Sequence, residues 1–231
     1  MERRGVSQSE ARAKSTSWAI TYGDMVTLLL TFFILLLVIM NDAEKHIDRV
    51  INMLLDESYQ ELAENVTSSY VMVERVTKGV KITLASGRLF KSMDAEVQTA
   101  VYPLLQQISG IIKLSRVVRV HDDPDLGKFI KSVEKAGRQL NIEIRCEGHT
   151  DDESLPAGAR YESNWDLSTA RALNIVKLLS LFAGIPQEKF SAMGYGEFRP
   201  VVTNIDAVSR SKNRRVEIYL DAFITIPTVT N

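Results

Sequence analysis

From Trp18 to Met40 the chain reads WAITYGDMVTLLLTFFILLLVIM, 23 nearly continuous apolar residues in which Asp24 is the one acidic or basic side chain. At 1.5 Å per residue this predicts a helix of about 34 Å, enough to cross a hydrocarbon core of about 30 Å with slight tilt. Thr21, Asp24, Thr27 and Thr31 fall along one stripe of that helix, with Leu, Ile, Phe and Val over the remaining surface. A polar stripe in lipid needs a second protein surface to satisfy it. A carboxylate there costs about 2.5 kcal/mol or more on insertion scales, so Asp24 reads as an ion or proton site facing a partner. The alternative is a plain anchor whose Asp24 snorkels to the headgroups, but an aspartate is too short to reach far. Thr21 and Thr27 are candidates to help coordinate a cation; the competing reading is that such hydroxyls simply pack at a helix interface.

Residues 42–66 show a second helical pattern, with Ile47, Val50, Ile51, Leu54, Tyr59, Leu62 and Val66 at spacings of three and four and no Gly or Pro between them. Such a helix must cover its apolar side with its twin in a dimer, the membrane surface or the mouth of a channel, which leaves a plug and a spacer equally open. From Tyr70 the period changes. VMVERVTKGVKITLAS predicts a strand pair, Ala95–Lys113 a helix, and NIEIRCEGHTDD a strand ending in a loop. Asp122, Asp123 and Pro124 mark a turn, with Asp125 as cap of a helix to about Leu140. Asn164–Ala183 is a helix closed by Gly184 and Pro186, KFSAMGYGEFRP a strand with a glycine turn, AVSRSKNRR a short helix and VEIYLDAFI the last strand. The whole is an α+β chain: one N-terminal transmembrane helix, then a mixed sheet with helices on one face.

Composition narrows the function. The 231 residues carry a formal net charge of −1, which argues against nucleic acid as the main partner. The single cysteine, Cys146, sits in a strand-like run and reads as a buried thiol. The apolar run exceeds a signal-peptide core and VIMNDAEKH offers no small-x-small cleavage site, so it reads as a retained anchor. Arg3, Arg4, Arg12 and Lys14 precede it while Asp42 and Glu44 follow, which puts the N-terminus in the cytoplasm and the rest outside, in the periplasm where there is an outer membrane. No Ser/His/Asp constellation or phosphate-cradling glycine loop points to an enzyme. His149 has no second His or Cys suitably spaced and reads as structural, not as a metal ligand.

Two stretches carry a family resemblance. WAITYGDMVTLLLTFFILLLV resembles the membrane helix of the MotB family, stator subunits of the flagellar motor, and EGHTDD, SNWDLSTARA, GYGEFRP and NRRVEI look like an OmpA-like peptidoglycan-binding domain in its MotB form. The resemblance implies a cytoplasmic tail (1–17), a transmembrane helix (18–40), a linker or plug helix (41–68), an OmpA-like domain (69–225) with an insertion at 116–140, and a short tail (226–231). It implies that Asp24 carries the transported H⁺ or Na⁺ with no cofactor, beside a four-helix MotA-type partner and within a homodimer. It further implies that Asp151 and Arg171 grip the diaminopimelate of peptidoglycan, which bears both an ammonium and a carboxylate, with Asn164, Leu167 and Ser168 of the NxxLS motif and Asn213 and Arg215 of the NRR motif around them. A MotB-like subunit of a phage-defence (Zorya-type) or gliding machine is the alternative. A passive wall tether of the Pal type is the third reading, but it typically needs an N-terminal lipidated cysteine and gives Asp24 no purpose.

Overall fold

The computed structural model describes residues 8–227, and the side chains of 18–39 and 45–227 within them. The tail residues 1–7 and 228–231 lie outside that range, as do the side chains of Arg12, Lys14, Asp42 and Glu44 on which the orientation argument leans. The chain divides into two compact units, residues 1–49 and 50–231.

The first unit is helical. One helix, α1, runs over Gln8–Asn65 and continues into the second unit. The two helical patterns read from the sequence therefore join without a break at 41, because MNDAEKH contains neither Gly nor Pro to stop a helix. Its segment Trp18–Ile39 is long and apolar enough to span a membrane. Within it the hydroxyls of Thr21, Thr27 and Thr31 each donate to the carbonyl three residues back, those of Trp18, Asp24 and Leu28, at 2.8–2.9 Å. Such bonds keep a hydroxyl within an apolar span from going unpaired.

In the second unit the final turns of α1 are core. Ile51, Leu54, Leu55 and Leu62 are buried, and polar ties hold the flanks: Arg75 reaches Asp56 at 2.7 Å and Asn52 at 2.8 Å, and Gln107 donates to the Asn65 carbonyl at 2.7 Å. The apolar face of residues 50–65 is thus covered by this chain's own domain, a fourth possibility beside twin, membrane and channel. Periodicity announces that a face is buried; it carries no information on what covers it.

The domain is built on strands β1 (Val71–Val76), β2 (Gly79–Ala85), β3 (Gln139–His149), β4 (Phe190–Gly194) and β5 (Arg215–Thr225), in the order β1-β2-β5-β3-β4. Only β3 and β4 run parallel; the other neighbours are antiparallel. Helices α2 (Ser86–Leu89), α3 (Tyr102–Leu114), α4 (Gly127–Lys135), α5 (Asn164–Ala183) and α6 (Ala207–Asn213) complete it. The inward face of the sheet is apolar, with Ile82, Leu84, Ile144, Cys146, Val216, Ile218 and Leu220 buried together with Leu105, Ile108, Ile175 and Leu179 of the helices. Burial pushes the Cys146 thiol pKa far up, so it is an inert core residue. The 116–140 segment is a turn plus α4, tucked in by Leu126, Phe129 and Val133; Asp123 caps the short 3₁₀ turn Pro124–Leu126 that leads into α4, accepting from the Asp125 amide at 2.9 Å, and neither it nor Asp125 caps α4 itself.

Two glycines decide where α5 sits. A Cβ at Gly148 would overlap the Ser168 carbonyl oxygen, and one at Gly194 would overlap the backbone and hydroxyl of Thr169. These residues are neighbours across β3 and β4, so together they form a bare patch on which the first turns of α5 rest. Ser163 caps that helix by accepting from the Asp166 amide, and Gly184, at φ 65°, ends it. The close approach presents the Leu167–Arg171 turn at the end of the sheet.

Candidate functional site

A cavity of about 400 Å³ opens there, between α5, the loop after β3, the start of β5 and the 86–93 segment. Asp151, Asn164, Leu167 and Arg171 all line it. The acid and the base are each only 5% exposed. The Arg171 Nε donates to the Asp94 carbonyl at 2.9 Å, and its guanidinium lies over the Phe90 ring, 5.1 Å from the centroid. Burial pulls its pKa down to about 10, with nearby Asp151 opposing, so Arg171 keeps its charge at neutral pH. Asn164 fixes the loops: its Nδ2 donates to the Glu153 carbonyl at 3.1 Å and to Glu197 Oε2 at 2.9 Å. The wall contributed by Phe90, Lys91, Ser92 and Met93 includes a non-glycine residue in the left-handed region, Met93 at φ 58°.

Other predicted residues stand elsewhere. Ser168 is buried behind the cavity, where its hydroxyl accepts from the Gly196 amide at 2.9 Å and donates to the Trp165 carbonyl. Asn213 staples the 201–204 loop, accepting from the Val201 amide and donating to the Val202 carbonyl. Arg215 is absent from the cavity lining; it lies on the opposite face of the sheet, 2.7 Å from Glu217. Its neighbour Arg214 lines the cavity instead and pairs with Asp151. Strand parity explains the exchange, since Val216, Ile218 and Leu220 point inward and Arg214 shares their side while Arg215 does not.

That opposite face holds a buried charge cluster. Glu147 contacts Arg145, Glu217 is held by Arg215 and by the Tyr219 hydroxyl at 2.7 Å, and Arg145 also reaches Asp221 at 2.9 Å. His149, 1% exposed, places Nε2 3.6 Å from Glu217 and 3.8 Å from Glu147, and its ring stacks on Tyr195. Glu147, His149 and Glu217 lie close enough to share a metal ion, but arginines already occupy both carboxylates. Burial lowers the His149 pKa, partly offset by Glu217. Burial alone would raise Glu217, but the bonds from its neighbours, His149, Arg215 and Tyr219, outweigh that and hold it far below the usual carboxylate range.

Both groups have folded-state pKa values below their unfolded ones, so each stabilises the fold at high pH and loses that stabilisation on acidification. For His149 the loss begins below about pH 6.5, for Glu217 below about 4.3. The expected result is a melting temperature that is flat above pH 7 and falls between pH 6.5 and 5.5, a limb that His149→Gln removes. Thermal denaturation at stepped pH checks this; an unchanged limb in the variant would contradict a buried neutral His149.

A segment long and apolar enough to cross a membrane, with one acid in it, stands in the same chain as a domain with a charged cavity, the combination expected of a membrane-anchored binding protein. Residues 2–57 match the family described as membrane MotB of the proton-channel complex MotA/MotB, and residues 115–214 match the OmpA family. Motility protein B of Bacillus subtilis is 29% identical over 95% of this chain and 96% of its own length. Among solved structures, the cell wall anchor of the T6SS from Pseudomonas aeruginosa aligns at TM-score 0.53 and 29% identity, over 71% of this chain and 96% of that one. A MotB-like protein from Desulfovibrio vulgaris shares the fold at TM-score 0.57 and 21% identity, over 77% and 94%. One polypeptide is thus similar to MotB over its N-terminal residues 2–57 and to the OmpA family over residues 115–214.

Proposed function

We propose that this chain is the B subunit of an ion-driven stator, a transducer and not an enzyme. It spans the inner membrane once, N-terminus in the cytoplasm and domain in the periplasm. Two copies stand within a ring of four-helix MotA-type partners, and Asp24 takes up and releases H⁺ or Na⁺ against those helices. Burial between helices disfavours a bare carboxylate and favours a neutralised one, which suits it to bind and release a cation in turn. Each charge crossing releases about 2.3 kcal/mol per 100 mV, and the alternation of charge at one point drives the partner's rotation.

The domain holds the subunit still. Diaminopimelate ends in an ammonium and a carboxylate, and the cavity offers Asp151 to the first and the planar fork of Arg171 to the second. The observation that carries this reading is the pair itself, an acid and a base both nearly buried yet both facing one open cavity. The likeness to a cell wall anchor fits the same reading of the domain, while Asp24 is what a passive tether would not need. Co-sedimentation of the detergent-solubilised chain with purified sacculi tests the anchor: the chain is expected to pellet with the wall and to be released by free stem peptide. A chain that stays in the supernatant would contradict it.

A further inference from the structure

Beside the cavity stands an aromatic surface that the peptide's charged end does not use. Trp165 and Phe198 lie with ring centroids 5.5 Å apart and planes 32° apart, 48% and 64% exposed. Their chain neighbours Asn164 and Glu197 are bonded to each other at 2.9 Å, and Asn164 lines the cavity. The paired rings therefore begin one residue beyond the cavity wall. Val201, three residues further along the chain from Phe198, is also exposed. Large aromatics left in water forgo the stabilisation that burial would bring, and contiguous patches of this kind mark interaction sites. The start of α5 does not require them, since Ser163 caps it and the two glycines seat it.

We propose that Trp165 and Phe198 form a stacking platform for the glycan chain of peptidoglycan. The inference rests on the cavity binding the stem peptide, because that peptide is covalently joined to an N-acetylated amino sugar. Diaminopimelate is its third residue, so a sugar follows within about 10 Å of extended chain at about 3.3–3.6 Å per residue. A pyranose ring presents C–H bonds over one face, an apolar surface that lies flat on an aromatic ring, while its hydroxyl and acetamido edges stay in water. Two adjacent rings match successive sugars better than a single side chain would.

The test measures binding of the full chain in detergent to two ligands: the free stem tetrapeptide, and the same peptide carried on its disaccharide. The parent is expected to bind the disaccharide form more tightly. Trp165→Ala and Phe198→Ala should weaken that form about tenfold, the scale of truncating an aromatic anchor, and leave the free peptide unchanged. Trp165→Phe should restore most of the loss. Equal weakening of both ligands would mean that the rings act by holding Asn164, and no weakening of either would give the patch to another occupant such as a protein; each result overturns the platform. A parent that binds neither ligand would overturn the cavity reading and the platform with it, whereas a parent that binds both alike overturns the platform alone.

Discussion

Asp24→Asn is expected to stop ion-driven work completely while the chain still inserts and assembles. The amide has the size of the carboxyl group but neither accepts a proton nor pairs with a cation, so the site cannot alternate between charged and neutral. The substitution also removes the cost of the charge in the bilayer, about 2.5 kcal/mol or more, so insertion should be no worse. Ion flux into vesicles holding the variant with the proposed four-helix partner should fall to that of vesicles without the chain, and cells should lose the driven motion with normal amounts of the subunit in the membrane. Flux that persists in the variant would move the ion path away from this helix.

The second large effect is at the wall. Arg171→Ala removes one half of the cavity's charge pair and leaves Asp151 and the ligand carboxylate without it. Truncating one partner of a buried hydrogen-bonded charge pair costs about 2–5 kcal/mol, a loss of roughly 30-fold to several thousandfold in affinity. Arg171 also holds the Asp94 carbonyl, so its melting temperature must be followed beside its sacculus binding. Arg171→Lys separates the roles: it keeps the charge but not the planar fork, and should bind between the parent and the alanine variant. Asp151→Asn should weaken binding comparably, because Arg171 and Arg214 would then face the ligand ammonium without an acid between them. Parent-like affinity in either Arg171→Ala or Asp151→Asn would remove the cavity from the anchoring account.

The elements legible in the sequence were those with strong local punctuation. α5 was readable at both ends because Asn164 opens an apolar period and Gly184 closes it, and the hairpin of β1 and β2 because alternation runs on both sides of one turn. Four members of the cavity, Asp151, Asn164, Leu167 and Arg171, were legible as motif residues whose chemistry suits one ligand. Arg214 was missed in favour of Arg215, although the inward parity of Val216, Ile218 and Leu220 was available to choose between them. The wall from Phe90 to Met93 carried no signal, since it meets the motifs only through the fold. The docking of residues 50–65 onto the domain was hidden for the same reason: Arg75–Asp56 and Gln107–Asn65 are pairings between distant parts of the chain that no spacing rule anticipates.

The proposed cycle requires Asp24 to change its charge state during transport, and infrared difference spectroscopy reads that directly. Membranes containing the chain and its partner, stepped in pH or in sodium, should show a carboxyl band that appears or shifts with the ion and is missing in Asp24→Asn. A band answering to pH alone assigns H⁺, and one answering to sodium assigns Na⁺. Spectra of parent and variant that match under both steps would contradict the central claim.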